Sequence, residues 1–373
     1  MIPYARQWIF DDDLEAVRDV LQGDWITTGP KIGEFEEALC ARTGSSHAVA
    51  VNSGTSALDI AVQALELPPG SEVITTPFTF VATSNAILYN RLKPVFADID
   101  RETRNIDPDR IREQITEKTR AVLTVDFAGH PCRNDEIREI CDAHSLAFIE
   151  DACHALGASC GGRMIGTWAD MTVFSFHPVK HITTGEGGAV LTGDPRLTER
   201  LEMLRNHGID RSAFARSGPG SGYAYDMKYL GRNYRLTDFQ AAMGISQLRK
   251  LDRFLERRAE IARRYSEALS GLPSLELPAT RAGNTHAWHL YTVLLKGIER
   301  DAFFREMRGR GIGVNVHYIP IYRFSYYRAL LNLSPRDFPR TEDVFSRIIS
   351  LPLYPRMTDG EVERVIEAIS LPL

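Results

Sequence analysis

Seven short runs rich in β-branched and apolar residues punctuate the first half of the chain, and each is followed by a stretch of helical character. They are His47 to Val51, Glu72 to Thr75, Pro94 to Ala97, Ala121 to Val125, Ala147 to Glu150, Met171 to Phe176 and Gly188 to Leu191. Runs this short and apolar suit strands buried on both faces, and strands separated by helical crossovers pair in parallel. The pattern predicts an α/β fold with one seven-stranded, mostly parallel sheet covered by helices on both faces. Helices are expected over Ser56 to Leu65, Val81 to Tyr89 and Asn134 to His144. A long helix is expected from Thr237 to Leu269, where Leu248, Leu251, Phe254 and Leu255 recur at helical spacing, and a helix of that length bridges two domains. Beyond Leu272 the strands shorten and prolines multiply, which predicts a smaller C-terminal α+β domain. The expected division is a large domain over residues 1–245 and a small one over 246–373. Ala213 to Gly222, rich in Gly and Ser, reads as a mobile surface loop.

Composition narrows the function classes. With 373 residues, 43% of them hydrophobic, the chain has material for a large core. A net charge of -5 argues against a nucleic-acid-binding surface. There is no run of eighteen apolar residues, so neither a transmembrane helix nor a membrane partner is expected. Met1 to Gln7 does not read as a signal peptide. Five cysteines without CxxC spacing suit reduced thiols in a cytoplasmic protein, and no metal site is expected.

In an open α/β sheet, ligands bind beyond the carboxyl ends of the strands. After the first run comes Asn52-Ser53-Gly54-Thr55-Ser56-Ala57-Leu58, where small and hydroxylated residues enter a helix. Free N–H groups at such a start suit a phosphate, and the same residues also make an ordinary helix cap. After the fifth run comes Glu150-Asp151-Ala152-Cys153-His154. An acid there suits a cationic ring nitrogen, or a plain turn. After the sixth, Lys180 lies in a loop rich in small residues, a place that also suits a solvated surface lysine.

Taken together, these segments resemble a known family. Asn52 to Leu58, Glu150 to Gly157, Ser175-Phe176-His177-Pro178-Val179-Lys180 and Gly231-Arg232-Asn233-Tyr234-Arg235 are similar, in that order, to the DegT/DnrJ/EryC1/StrS nucleotide-sugar aminotransferases. Thr75 to Ala86, Ser175 to Gly188, Val316-His317-Tyr318-Ile319-Pro320 and Tyr326-Tyr327 most resemble the UDP-4-amino-4,6-dideoxy-N-acetyl-β-L-altrosamine transaminases of pseudaminic acid synthesis. The resemblance implies a pyridoxal 5'-phosphate (PLP) enzyme of fold type I. It also implies a UDP-linked keto sugar and an amino-acid donor, commonly glutamate, as substrates, and a homodimer with shared active sites.

Roles follow position by position. Lys180 matches the lysine that bonds the cofactor and moves the proton, and a neutral amine is required for that. Asp151 matches the partner of the ring nitrogen, and His154 a residue near the cofactor's phenolic oxygen. Phe80 matches an aromatic that stacks on the ring. Ser175, Gly54 and Thr55 match phosphate ligands, and Asn233 a phosphate ligand given by the partner subunit. Tyr4, Thr28, Gly29, His317 and Tyr318 match positions that meet the nucleotide sugar. Arg232 and Arg235 are candidates for a pyrophosphate or the donor's carboxylate, and equally for structural ion pairs. The pairs His177/His181 and His286/His289 have a spacing that suits a metal on a helix, but no carboxylates accompany them.

Three competing functions are disfavoured. Sugar dehydratases of this fold carry histidine where Lys180 stands. A dinucleotide oxidoreductase needs GxGxxG, which Asn52 to Ala57 does not supply. A regulator on the same fold would carry an appended helix-turn-helix, and none is visible.

Overall fold

The computed structural model describes residues 1–210 and 225–371. Ala213 to Gly222 lies outside the described residues. Seven strands form the main sheet: β1 (His47–Val51), β2 (Glu72–Thr75), β3 (Lys93–Phe96), β4 (Thr119–Val125), β5 (Ala147–Asp151), β6 (Met171–Ser175) and β7 (Gly188–Thr192). Their order is β1-β7-β6-β5-β4-β2-β3. All neighbours run parallel except β7, which is antiparallel to both β1 and β6. The seven expected runs are these seven strands, each displaced by two residues or fewer at its ends.

Side-chain alternation explains why the sheet is continuous and apolar. Val49 and Val51 enter one core while Ala48 and Ala50 enter the core on the opposite face. Ile149 and Phe148 divide in the same way. Each face is covered by helices. Gly54–Ala64 and Val81–Tyr89 pack on one side, and Pro30–Thr43 and Asn134–His144 on the other. Burying a side chain such as Phe148 stabilises the fold by about 1.5–3 kcal/mol.

The expected long helix is two helices, Asp238–Leu248 and Leu251–Leu269. No glycine or proline marks the break. Lys250 stays in the right-handed region but departs from ideal helix angles, with φ -100° and ψ -1°, and its amine bonds Asp13 at 2.8 Å and the Ser246 carbonyl at 3.1 Å. Gln247 bonds the Trp8 carbonyl at 3.0 Å and Asp13 at 2.6 Å. Anchoring to the N-terminal segment interrupts the helix there.

The second helix runs into another core. Its Ile261, Ala262, Tyr265 and Leu269 pack against an antiparallel sheet of β8 (Leu275–Glu276), β9 (Tyr291–Leu295) and β10 (Ile348–Leu351). Ile2 joins this core from the other end of the chain, bridged to Ile312. The N-terminus is thereby held beside the second sheet, which brings Tyr4 to the main sheet's carboxyl edge.

Candidate active site

A cavity of about 580 Å³ opens where the carboxyl ends of β1, β5 and β6 meet the loop 315–319. Gly54, Thr55, Phe80, Asp151, His154, Ser175 and Lys180 line it from the main-sheet side. Tyr4, His317 and Tyr318 line it from the other.

Register places the charged groups. Asp151 ends β5 opposite Val125 and Val173 of its neighbours. Its two oxygens are held separately: the Thr83 hydroxyl donates to one at 2.8 Å and the Cys153 N–H to the other at 3.2 Å. Thr79 and Thr83, one helical turn apart, share a hydrogen bond of 2.9 Å and brace this contact. Thr83 was not expected from sequence, although two threonines four residues apart at a helix start are a signal for it.

Lys180 lies in the loop from β6 to β7. That loop is closed by Phe176 N–H to the Gly187 carbonyl at 2.8 Å and Thr184 N–H to the Phe176 carbonyl at 3.0 Å. Gly185 turns it with a φ of +80°. Desolvation lowers the Lys180 amine's affinity for a proton, and this outweighs the opposite pull of Cys153 and Asp151. A larger neutral fraction is what a proton-moving amine needs.

The phosphate side is built from close backbone packing. The Ser53 hydroxyl accepts from Ser56 N–H at 3.0 Å and the Ser53 carbonyl accepts from Ala57 N–H at 3.0 Å. The N–H groups of Gly54 and Thr55, in the first turn, have no intrahelical acceptor and suit an anion at the cavity. A Cβ on Gly54 would lie 2.8 Å from the Ser175 Cβ, so glycine is what lets β6 and this helix start converge.

Neutral aromatic and imidazole groups complete the cavity. The Tyr318 hydroxyl lies 3.2 Å from His154 Nε2. Phe80 is half-exposed at the cavity, with its ring 6.1 Å from that of Tyr318. Burial pushes His154 well below the ordinary histidine range, with Lys180 adding to the effect. His317 is lowered to about 4, again chiefly by burial. Its Nδ1 pairs with Ser350 at 2.8 Å and its Nε2 with Asn315 at 3.2 Å. Behind His154 lies the ring of His289, 4.2 Å away. This contact was not expected from sequence, since His289 had been noted only for its spacing from His286.

Other expected residues stand outside the cavity. Asn233 is exposed and bridges Asn206 through its backbone. Gly29 donates its N–H to Asp238 at 2.8 Å at a helix start, and a Cβ there would meet Trp25 at 2.5 Å. Thr28 and Arg235 line a separate cavity of about 330 Å³, where Arg235 bonds Asn206 at 2.5 Å. Arg232 pairs with the buried Asp59 at 2.8 Å, which is the structural alternative noted for it. Of the histidine pairs, His181 bonds the Ala287 carbonyl at 3.0 Å and His286 stacks on Trp288 at 3.9 Å, while His177 lines the main cavity.

The cavity fits PLP on this chain's own features. The fixed Asp151 carboxylate suits the ring nitrogen, the desolvated Lys180 amine suits the cofactor's carbonyl carbon, and the Gly54–Thr55 helix start suits the phosphate. His154 Nδ1 is buried without a hydrogen-bond partner among the described residues, an open polar position in the wall.

Comparison with known proteins agrees with this chemistry. An uncharacterised protein of Methanocaldococcus jannaschii is 44% identical over 372 residues, covering 99% of this chain and 96% of that protein. The structure of Helicobacter pylori PseC, an aminotransferase involved in the biosynthesis of pseudoaminic acid, matches with a TM-score of 0.92 at 34% identity, covering 99% of this chain and 98% of that one. The PMP-form of a putative sugar aminotransferase from Streptococcus pneumoniae matches with a TM-score of 0.94 at 30% identity, again over 99% and 98%. The model of the DegT/DnrJ/EryC1/StrS aminotransferase family matches residues 8–370. The chain belongs to this family and is a PLP-dependent sugar aminotransferase.

Proposed function

We propose that the enzyme moves an amino group from L-glutamate to C4 of a UDP-linked 4-keto-6-deoxy-N-acetylhexosamine. The substrate proposed is UDP-2-acetamido-2,6-dideoxy-β-L-arabino-hex-4-ulose, and the product a 4-amino sugar of pseudaminic acid biosynthesis. The observation that carries the reading is a desolvated Lys180 amine beside Asp151 in one cavity, faced by Tyr4, His317 and Tyr318. Likeness to PseC over 99% of the chain supports the choice of sugar.

When bound, the cofactor supplies a carbon that carries the amino group and a ring that accepts electron density. This chain's residues do the rest. Lys180 Nζ takes a proton from the donor's α-carbon and returns one at C4 of the sugar. Glutamate leaves as a 2-oxo acid, and the keto sugar leaves as an amine. Asp151, fixed by Thr83 and the Cys153 N–H, presents a preorganised negative charge. His154 and Tyr318 offer neutral polar groups, and Phe80 an apolar face. Gly54, Thr55 and Ser175 receive the phosphate.

In the same reading, residues 1–245 form the cofactor domain and residues 246–373 the smaller domain that selects the sugar. Two copies pair in the cytoplasm, so that Asn233 of one serves the phosphate of the other. Thr28 and Gly29 meet the nucleotide sugar.

Incubation of the holoenzyme with the UDP-4-keto sugar and glutamate tests the substrate. A 4-amino product detected by mass spectrometry is expected. Activity confined to a thymidine-linked or D-configured keto sugar would refute this sugar and favour another nucleotide-linked 3- or 4-keto substrate.

A further inference from the structure

Arg258, on the helix Leu251–Leu269, is 1% exposed. A buried guanidinium is costly unless it is paired, and acids are the usual partners. Here burial lowers Arg258 to about 9, and no acid among the described residues offsets the effect. Its acceptors are all main-chain carbonyls. Nη1 donates to Leu353 at 3.1 Å, Trp288 at 3.2 Å and His289 at 3.3 Å, and Nη2 to Lys180 at 3.5 Å. Nε has no partner.

The four carbonyls belong to three separate segments. Lys180 lies in the loop that carries the reactive amine. Trp288 and His289 precede β9, and the His289 ring packs 4.2 Å from His154. Leu353 follows β10, whose Ser350 holds His317 at 2.8 Å. One side chain therefore joins the lysine loop to both strands that support the opposite wall. A second tie, from His181 to the Ala287 carbonyl at 3.0 Å, spans the same gap. A planar guanidinium with donors in a fixed fork can hold carbonyls in several directions at once, and an ammonium group is less suited to that.

We propose that Arg258 is a positioning residue for the transamination: it ties the Lys180 main chain to the His289 and Leu353 segments, and so keeps the amine in register with His154 and the sugar-binding wall. This rests on the role assigned to Lys180. Arg258 does not touch the reacting atoms. Its effect passes through the lysine backbone and through the His289 ring, and misplacement of a reacting group by an ångström is enough to slow chemistry.

The test compares Arg258→Met and Arg258→Lys with the native holoenzyme and apoprotein. Arg258→Met is expected to lower kcat about ten- to a hundredfold while KM for the keto sugar moves less than about threefold. In the apoprotein, hydrogen exchange should quicken at residues 177–184 and 286–290 and stay unchanged in the helix Pro195–Arg205, which packs into a different core. Arg258→Lys should restore only part of kcat. If the methionine variant fails to fold, the lysine variant decides: a kcat loss of more than about threefold at native cofactor content supports the proposal. Native kcat in a folded variant, or exchange that quickens uniformly with kcat unchanged, overturns it. Turnover by Lys180→Ala would instead overturn the underlying reading of the site. Native kcat in the Arg258 variants beside a dead Lys180→Ala would remove this inference alone.

Discussion

Gly54, Asp151, Ser175 and Lys180 stand at or just beyond the ends of strands in one sheet, whereas Tyr4, His317 and Tyr318 arrive from the N-terminus and from a loop near the second sheet. The first group is located by main-chain pairing. Asp151 faces Val125 and Val173, and Ser175 faces Gly188, so a slip of one residue would turn each side chain to the opposite face. The second group is located by side-chain contacts. His317 leans on Ser350 at 2.8 Å, Tyr318 on His154 at 3.2 Å, and the Tyr4 ring lies 5.5 Å from that of His317. The lesson is a division of physical scale. In the proposed function, chemistry rests on the wall that the sheet fixes cooperatively, and selectivity on the wall that single contacts can retune.

The comparison is broken most directly at Lys180. Lys180→Ala should lower turnover by about four orders of magnitude or more, because nucleophile and proton carrier are removed together. The variant should stay folded, since the backbone bonds of its loop do not use the side chain. Single-turnover assays with product detection by mass spectrometry measure the loss. Asp151→Ala should follow with about a hundred- to thousandfold loss in kcat, the scale of one preorganised electrostatic contact. A loss in KM alone at Asp151 would show that its charge acts equally in ground and transition states, and the two walls would no longer differ in kind.

How much of this was legible in the sequence follows the same division. The strands were readable because residues such as Val49 and Ala50 feed cores on both faces, which leaves continuous apolar runs. Asp151 directly follows such a run and Lys180 lies four residues beyond another, but position alone left both open, and their roles came from the family resemblance. The break at Lys250 was not, because it depends on Asp13, more than two hundred residues away in sequence. His289 was hidden for a similar reason: its spacing from His286 said nothing of its neighbours, and the fold sends one ring to Trp288 and the other to His154. Arg258 carried no signal in the sequence, because its burial depends on how its helix crosses the lysine loop.

Acid should expose the second wall. The folded pKa of His317, about 4, lies below the ordinary value of 6.5, so the unfolded chain binds the extra proton first. Stability from this residue is full above pH 6.5 and is lost as pH falls toward 4, by about 3 kcal/mol. His154, His181, His286 and His289 are shifted in the same direction by burial. Urea unfolding of the apoprotein at pH 7 and at pH 4.5 should therefore show a large difference, and His317→Asn should shrink it by about 2 kcal/mol. An unchanged difference would mean that His317 titrates freely and that the wall around it is looser than its hydrogen bonds suggest.

Tyr318→Phe makes the smallest and sharpest cut. The phenyl ring keeps its packing beside Phe80 and Phe127, at centroid distances of 6.1 and 6.4 Å, and only the hydroxyl that meets His154 is lost. A neutral hydrogen bond of this kind contributes about 1 kcal/mol, so a change of about fivefold is expected. Where it falls is the informative part. If the second wall serves recognition, the change appears in KM for the nucleotide sugar and leaves the half-reaction with glutamate untouched, which stopped-flow measurement of each half-reaction separates. If both half-reactions slow equally, the hydroxyl acts through His154 on the shared chemistry, and the boundary between the walls runs beyond Tyr318 instead of between it and His154.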